Sequence, residues 1–141
     1  MKIYLIGCGK SKMQYACPAK EMYTGTLFQK SYAYAKAMHP DKIFILSAKY
    51  GLLDPELKIE PYDKTVKDFS AQQARKWADD VFTALEEKTD ILNDEFVLLA
   101  GKDYYKYLIG RLNHCTLPLE GKKIGVRLHW LAEQLRAGNN K

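Results

Sequence analysis

A chain of 141 residues, 47% hydrophobic and 28% charged, has the make-up of one ordinary globular domain, which excludes a disordered tail or a membrane-embedded bundle. Its net charge of +5 and pI near 9.0 favour an anionic partner, nucleic acid or nucleotide ahead of membrane, although the lysines are spread along the chain without a basic tail. There is no run of eighteen apolar residues, and the first apolar stretch is too short for a signal peptide, so the cytoplasm is the expected compartment.

The chain begins with an apolar strand, Lys2 to Ile6, that runs into Gly7-Cys8-Gly9-Lys10-Ser11-Lys12. Two glycines allow close approach of the backbone to a ligand, and the lysines and serine suit an anionic oxygen. The loop is not an ATPase phosphate loop: the glycine that motif needs five positions before Gly9 is replaced by Tyr4, inside the strand. A smaller anion cradle or a plain tight turn are the readings left. Cys8, beside Lys10, is either a reactive thiol or a small buried residue.

After an irregular stretch containing Pro18, Thr24 or Thr26 is placed to cap a helix that runs to about Met38, with Leu27, Phe28, Ser31, Tyr34 and Ala35 at helical spacing. A second buried strand, Ile43 to Leu46, follows at once, which makes a βαβ unit with a parallel strand pair. It ends in Ser47-Ala48-Lys49-Tyr50-Gly51, again small residues with a lysine. Lys49 suits a phosphate or a developing negative charge and Tyr50 suits base stacking; the plain alternative is a turn packed by Tyr50.

Residues 52–68 are irregular, with Pro55, Pro61 and a short alternating piece from Leu57 to Glu60 that reads as an edge strand. Such a stretch in a compact domain carries function or covers a site. Within it, Asp63 suits a general base or a stabiliser of oxocarbenium-like charge, with turn capping as its rival role. A capping box at Ser70 and Gln73 opens a helix whose core face is Ala74, Trp77, Ala78, Val81, Phe82 and Leu85.

The third buried strand, Phe96 to Leu99, leads into Ala100-Gly101-Lys102-Asp103-Tyr104 and a short helix to about Leu112. Lys102, Tyr104, Tyr105 and Tyr107 suit a nucleotide, although Tyr104 and Tyr107 share a helical face with Leu108 and at least one belongs to the core. Cys115 to Leu117 reads as a fourth strand. The last helix is expected from Ile124 to Arg136, with Ile124, Leu128, Leu131 and Leu135 on one stripe and Gly138-Asn139-Asn140 as its stop.

The three cysteines, Cys8, Cys17 and Cys115, form no CxxC pair, and the histidines show no metal spacing with them, so neither metal nor other cofactor is expected. Alternating strands and helices predict a single Rossmann-like α/β domain, a three-layer sandwich on a small, mainly parallel sheet of about four strands. Ligands of such sheets bind beyond the carboxyl ends of the strands.

Cys8-Gly9-Lys10-Ser11-Lys12, Tyr23-Thr24-Gly25-Thr26-Leu27-Phe28, Leu46 to Leu53 and Ile59-Glu60-Pro61-Tyr62-Asp63, in that order, resemble a family of small uncharacterised bacterial and phage proteins. Pro118-Leu119-Glu120-Gly121 and the start of the last helix extend the likeness over nearly the whole chain. Leu46 to Asp63 is also similar to part of the larger peroxide-stress protein YaaA, which implies DNA binding; a looser likeness to 7-deazaguanine modification and base-exchange enzymes implies chemistry on nucleobases.

The expected function is therefore nucleic-acid or nucleotide processing at a nucleobase N-glycosidic bond, with Lys49 and Asp63 as the catalytic residues. The alternatives are a non-catalytic DNA or nucleotide binder in stress or phage defence, and an interaction module. DNA, RNA or a nucleotide is the expected partner, without a membrane. The expected binding residues are Cys8, Gly9, Lys10, Ser11 and Lys12 in the first loop. Tyr23, Ser47, Tyr50, Gly51 and Tyr62 follow, and Gly101, Lys102 and Tyr104 complete the set.

Overall fold

The structure is a computed structural model that describes residues 1–139. At its centre is β1, Lys2–Gly7. Ile3, Tyr4, Leu5 and Ile6 are all buried, as expected of a strand covered on both faces. β2 is Cys17–Pro18, α1 is Ala19–Met22, α2 is Thr26–Ala37 and β3 is Lys42–Ser47. β4, Gly51–Leu53, and β5, Lys58–Ile59, precede a 3-10 turn at Val66–Asp68 and α3, Ala71–Lys88. β6 is Glu95–Leu99, α4 is Lys102–Tyr105, β7 is Cys115–Thr116 and α5 is Ile124–Asn139.

The main sheet has five strands in the order β4-β3-β1-β6-β7. β1 pairs parallel with β3 on one side, Leu5 opposite Phe44, and with β6 on the other, Leu5 opposite Leu98. β7 adds a parallel edge to β6, so Cys115 and Thr116 form a strand as expected. After β3 the chain crosses back through α3 to the far side of β1. The strand order therefore reverses beside β1, and the carboxyl ends of β1 and β6 diverge into two different loops.

Alternation of side chains divides the core between the two faces of the sheet. Tyr4, Ile6, Ile45, Val97 and Leu99 pack with Phe28, Tyr34 and Ala35 of α2 and with Leu131 of α5. Ile3, Leu5, Phe44, Leu46, Phe96 and Leu98 pack with Trp77, Ala78, Val81 and Leu85 of α3. Both partners of the Ser70–Gln73 capping box are in place, and the expected core face of α3 is buried apart from Phe82, which is half-buried.

Several local expectations are corrected. The sheet has a fifth strand because Ser47 to Gly51 is a hairpin: Gly51, at φ +72°, turns the chain so that β4 pairs antiparallel with β3. The piece from Leu57 to Glu60 does contain a strand, but β5 joins β2 in a separate two-stranded sheet. Neither threonine caps α2; Gly25 is its N-cap, and no side chain bonds its first turn. The helix after Gly101 breaks at Lys106 and resumes as a 3-10 turn at Ile109–Arg111.

On α5, Leu131 is buried and Leu128 and Leu135 are half-buried, but Ile124 is exposed. The helix also continues through Gly138 to Asn139; Asn140 lies outside the described residues. No described helix is long and apolar enough to cross a membrane.

Candidate functional site

Beyond the carboxyl ends of β1 and β6 lies a cleft of about 760 Å³, within the roughly 300–1,000 Å³ range of small-molecule sites. Its walls come from six places in the sequence: the loop after β1, the first turns of α2, the 63–68 segment, the end of β6 with Tyr104, Leu119 in the loop after β7, and the start of α5. A second hollow of about 550 Å³, lined by Lys42, Phe44, Asp54 and Glu87 among others, includes the amino-terminal half of β3.

The loop from Cys8 to Lys12 forms one wall as the sequence leads one to expect. It is anchored by the Cys8 amide, which donates to the Leu46 carbonyl at 3.0 Å, and by a bridge between Lys12 and Tyr23. Gly7 is where the strand ends crowd together: a Cβ there would stand 3.0 Å from that of Ala100. Gly9 and Gly25 also line the cleft, but a Cβ at either would meet no protein atom within 4 Å. The fold itself has no steric need for glycine at those two positions.

A hydrogen-bonded cluster underlies the loop. The Tyr62 hydroxyl lies 2.7 Å from the Tyr23 hydroxyl, 2.7 Å from Ser47 Oγ and 3.6 Å from Cys8 Sγ. Ser47 Oγ accepts from the Tyr50 amide, and the Ser47 carbonyl accepts from the Trp77 indole N–H at 2.8 Å. The Tyr104 hydroxyl donates to the Cys8 carbonyl at 2.9 Å and stands 3.2 Å from Cys8 Sγ. Burial, and then the neighbouring Cys8, push the Tyr23 phenol up to about 12. The same two causes raise Tyr62 and Tyr104, so all three remain protonated at neutral pH. Lys12 caps the cluster with its ammonium 4.5 Å from the centre of the Tyr62 ring.

Of the expected binding residues, Cys8, Gly9, Lys10, Ser11, Lys12, Gly101 and Tyr104 line the cleft. Tyr23, Ser47 and Tyr62 belong to the supporting cluster and do not line it. Tyr50, Gly51 and Lys102 lie outside its walls. Of the two expected catalytic residues, Asp63 is exposed on the cleft, whereas Lys49 is on the hairpin with its ammonium 5.2 Å from the Tyr50 ring. Lys49 thus does not share the wall of the cleft with Asp63.

Arg127, Lys64, Lys67, Ser31 and Leu119 also line the cleft without having been singled out for it. Arg127 donates to the Lys122 carbonyl at 2.7 Å, and its guanidinium lies against Gly101. Nothing in the local sequence marks Arg127; only the docking of α5 beside β6 brings it here. The wall therefore holds five cations, Lys10, Lys12, Lys64, Lys67 and Arg127, against three carboxylates, Asp63, Asp68 and Asp103. Among the described residues none of these cations is within ion-pair distance of a carboxylate, whereas Lys20, Lys76 and Arg111 elsewhere are paired. Apart from Ser31, the buried residues of the wall are apolar: Phe28, Leu99 and Leu119.

No match exists among curated proteins. Residues 3–133 match DUF6884, a family of unknown function, and the chain belongs to it.

Proposed function

We propose that this DUF6884 member holds a nucleotide unit, free or part of DNA or RNA, in the cleft and acts on its nucleobase N-glycosidic bond. The observation that carries this reading is the pairing of unneutralised cations with an apolar interior in one cleft, since a nucleotide joins an anionic phosphate to a flat ring. The position of the cleft supports it. We read the fold as a three-layer, Rossmann-like sandwich, and such sheets bind ligands where the strand order reverses. The likeness of Leu46 to Asp63 to YaaA adds DNA to the sources of the nucleotide.

In this reading Asp63 is the catalytic residue and Lys49 has no catalytic part. As the C1′–N bond breaks, its electron pair leaves with the base, and positive charge spreads over C1′ and the ring oxygen. The Asp63 carboxylate stabilises that charge. Water then supplies a hydroxyl to C1′ and a proton to the base, or a second base takes the place of water in an exchange. The test is release of free base from nucleotides and short DNA or RNA. Asp63→Asn should slow it by about 10²–10⁴-fold with affinity retained.

The second reading is a binder that breaks no bond. It is favoured by the exposure of Asp63, which no side-chain hydrogen bond among the described residues orients. Tight binding with no base released at stoichiometric protein would establish it over the first.

A further inference from the structure

Ser31, on the second turn of α2, is only 2% exposed and lines the cleft. Its hydroxyl makes no side-chain hydrogen bond among the described residues. It is also not one of the fully enclosed polar atoms, all of which have partners, so the small exposure it retains is toward the cleft. The fold itself gains nothing from this hydroxyl, and alanine would be the better helix former at this position. The hydroxyl is thus an unused donor and acceptor aimed into a cavity.

Its surroundings limit what it can meet. Phe28, Leu99 and Leu119 are buried around the same space, whereas Lys10, Lys64 and Lys67 are exposed on the wall. The anionic end of a ligand therefore belongs at the cations, none of which is buried: Lys10, Lys64 and Lys67 are exposed and Lys12 and Arg127 half-buried. An aliphatic tail inside would leave Ser31 unpaired, and a bare sugar would leave several hydroxyls without partners. A heterocycle with apolar faces and a polar edge satisfies both the apolar wall and its one buried hydroxyl. Gly9 and Gly25 add bare backbone against which such a ring can lie closely.

We infer that the cleft binds a free nucleoside monophosphate with its base inward, Ser31 hydrogen-bonding the edge of the base and Arg127 with the exposed lysines holding the phosphate. This rests on the nucleotide reading given above and makes it specific: the ligand is a mononucleotide, and Ser31 contributes to the choice of base. The enclosed, apolar position of Ser31 favours a ligand that enters whole.

Calorimetric titration of the full chain with the four common nucleoside 5′-monophosphates, their nucleosides, inorganic phosphate and a short single-stranded oligonucleotide tests it. At least one monophosphate should bind more tightly than the oligonucleotide. Ser31→Ala should weaken that nucleotide and its nucleoside by about 3- to 10-fold, the loss of one neutral hydrogen bond, while phosphate binding stays unchanged. It should also raise the unfolding temperature of the free protein, which a merely structural serine would not do. Arg127→Gln should weaken the nucleotide and phosphate but not the nucleoside.

A nucleotide weakened by Arg127→Gln and indifferent to Ser31→Ala would overturn the base-inward placement and leave the nucleotide reading standing. Binding of the oligonucleotide alone would overturn the choice of a free mononucleotide. No binding by any of these probes would overturn the inference and the reading beneath it together.

Discussion

Tyr62 brings its hydroxyl to three neighbours at once, Tyr23, Ser47 and Cys8, while its ring lies under Lys12. Tyr62→Phe keeps the ring but removes the hydroxyl partner of buried Tyr23 and leaves Ser47 Oγ with the Tyr50 amide alone. It should cost about 1–3 kcal/mol in a urea unfolding experiment. Tyr50→Phe is the control: its hydroxyl has one bond of 3.3 Å to the Glu60 carbonyl near solvent, and the change should stay within about 0.5 kcal/mol. The same cluster sets an alkaline limit. The Tyr23 phenol titrates near 12 when folded and near 10 when unfolded, so the native state holds its proton more tightly. Stability is fully present below pH 10 and falls as pH rises toward 12, by about 1.4 kcal/mol per pH unit for each such phenol. Tyrosinate absorbance should therefore rise later in the native protein than in urea.

At the scale of elements, the site depends on how two strand ends and two helix starts meet. Gly7 and Ala100 hold β1 and β6 close where their loops part, so Gly7→Ala should destabilise the fold by about 1–3 kcal/mol through overpacking. Gly25→Ala has open space for its methyl and an ordinary extended backbone, so it should cost only the poorer helix N-cap, about 0.5–1 kcal/mol. In our account it nonetheless reduces nucleotide affinity, because the methyl projects into the cleft. The strands and helices themselves were largely legible in the sequence. Continuous apolar runs marked β1, β3 and β6, and Ser70 with Gln73 marked the start of α3, because these signals are local. The hairpin at Ser47 to Gly51 was missed, since a three-residue strand with one glycine turn has too little periodicity to separate it from a loop.

At the scale of the whole molecule, the candidate site was legible only in part, and the reason is distance along the chain. The loop after β1 and the segment with Asp63 carry their chemistry in adjacent residues. The contributions of Ser31 and Arg127 arise only when α2 and α5 pack on the same face of the sheet. Lys49 illustrates the converse: its strand end resembles that of β1 in sequence, but on the hairpin it is not among the residues of the cleft wall. Three similar strand ends thus yield one site from two of them, β1 and β6, because the strand order reverses between those two and not beside β3.

Whether the cleft beyond β1 and β6 takes a nucleotide can be read from amide NMR, because glycine signals fall in a sparsely populated part of the spectrum. On titration with a nucleoside monophosphate, the Gly9, Gly25 and Gly101 signals should shift together with those of Ser31 and Arg127. Shifts confined to Lys42, Phe44 and Glu87 in the other hollow, or none at millimolar nucleotide, would contradict it.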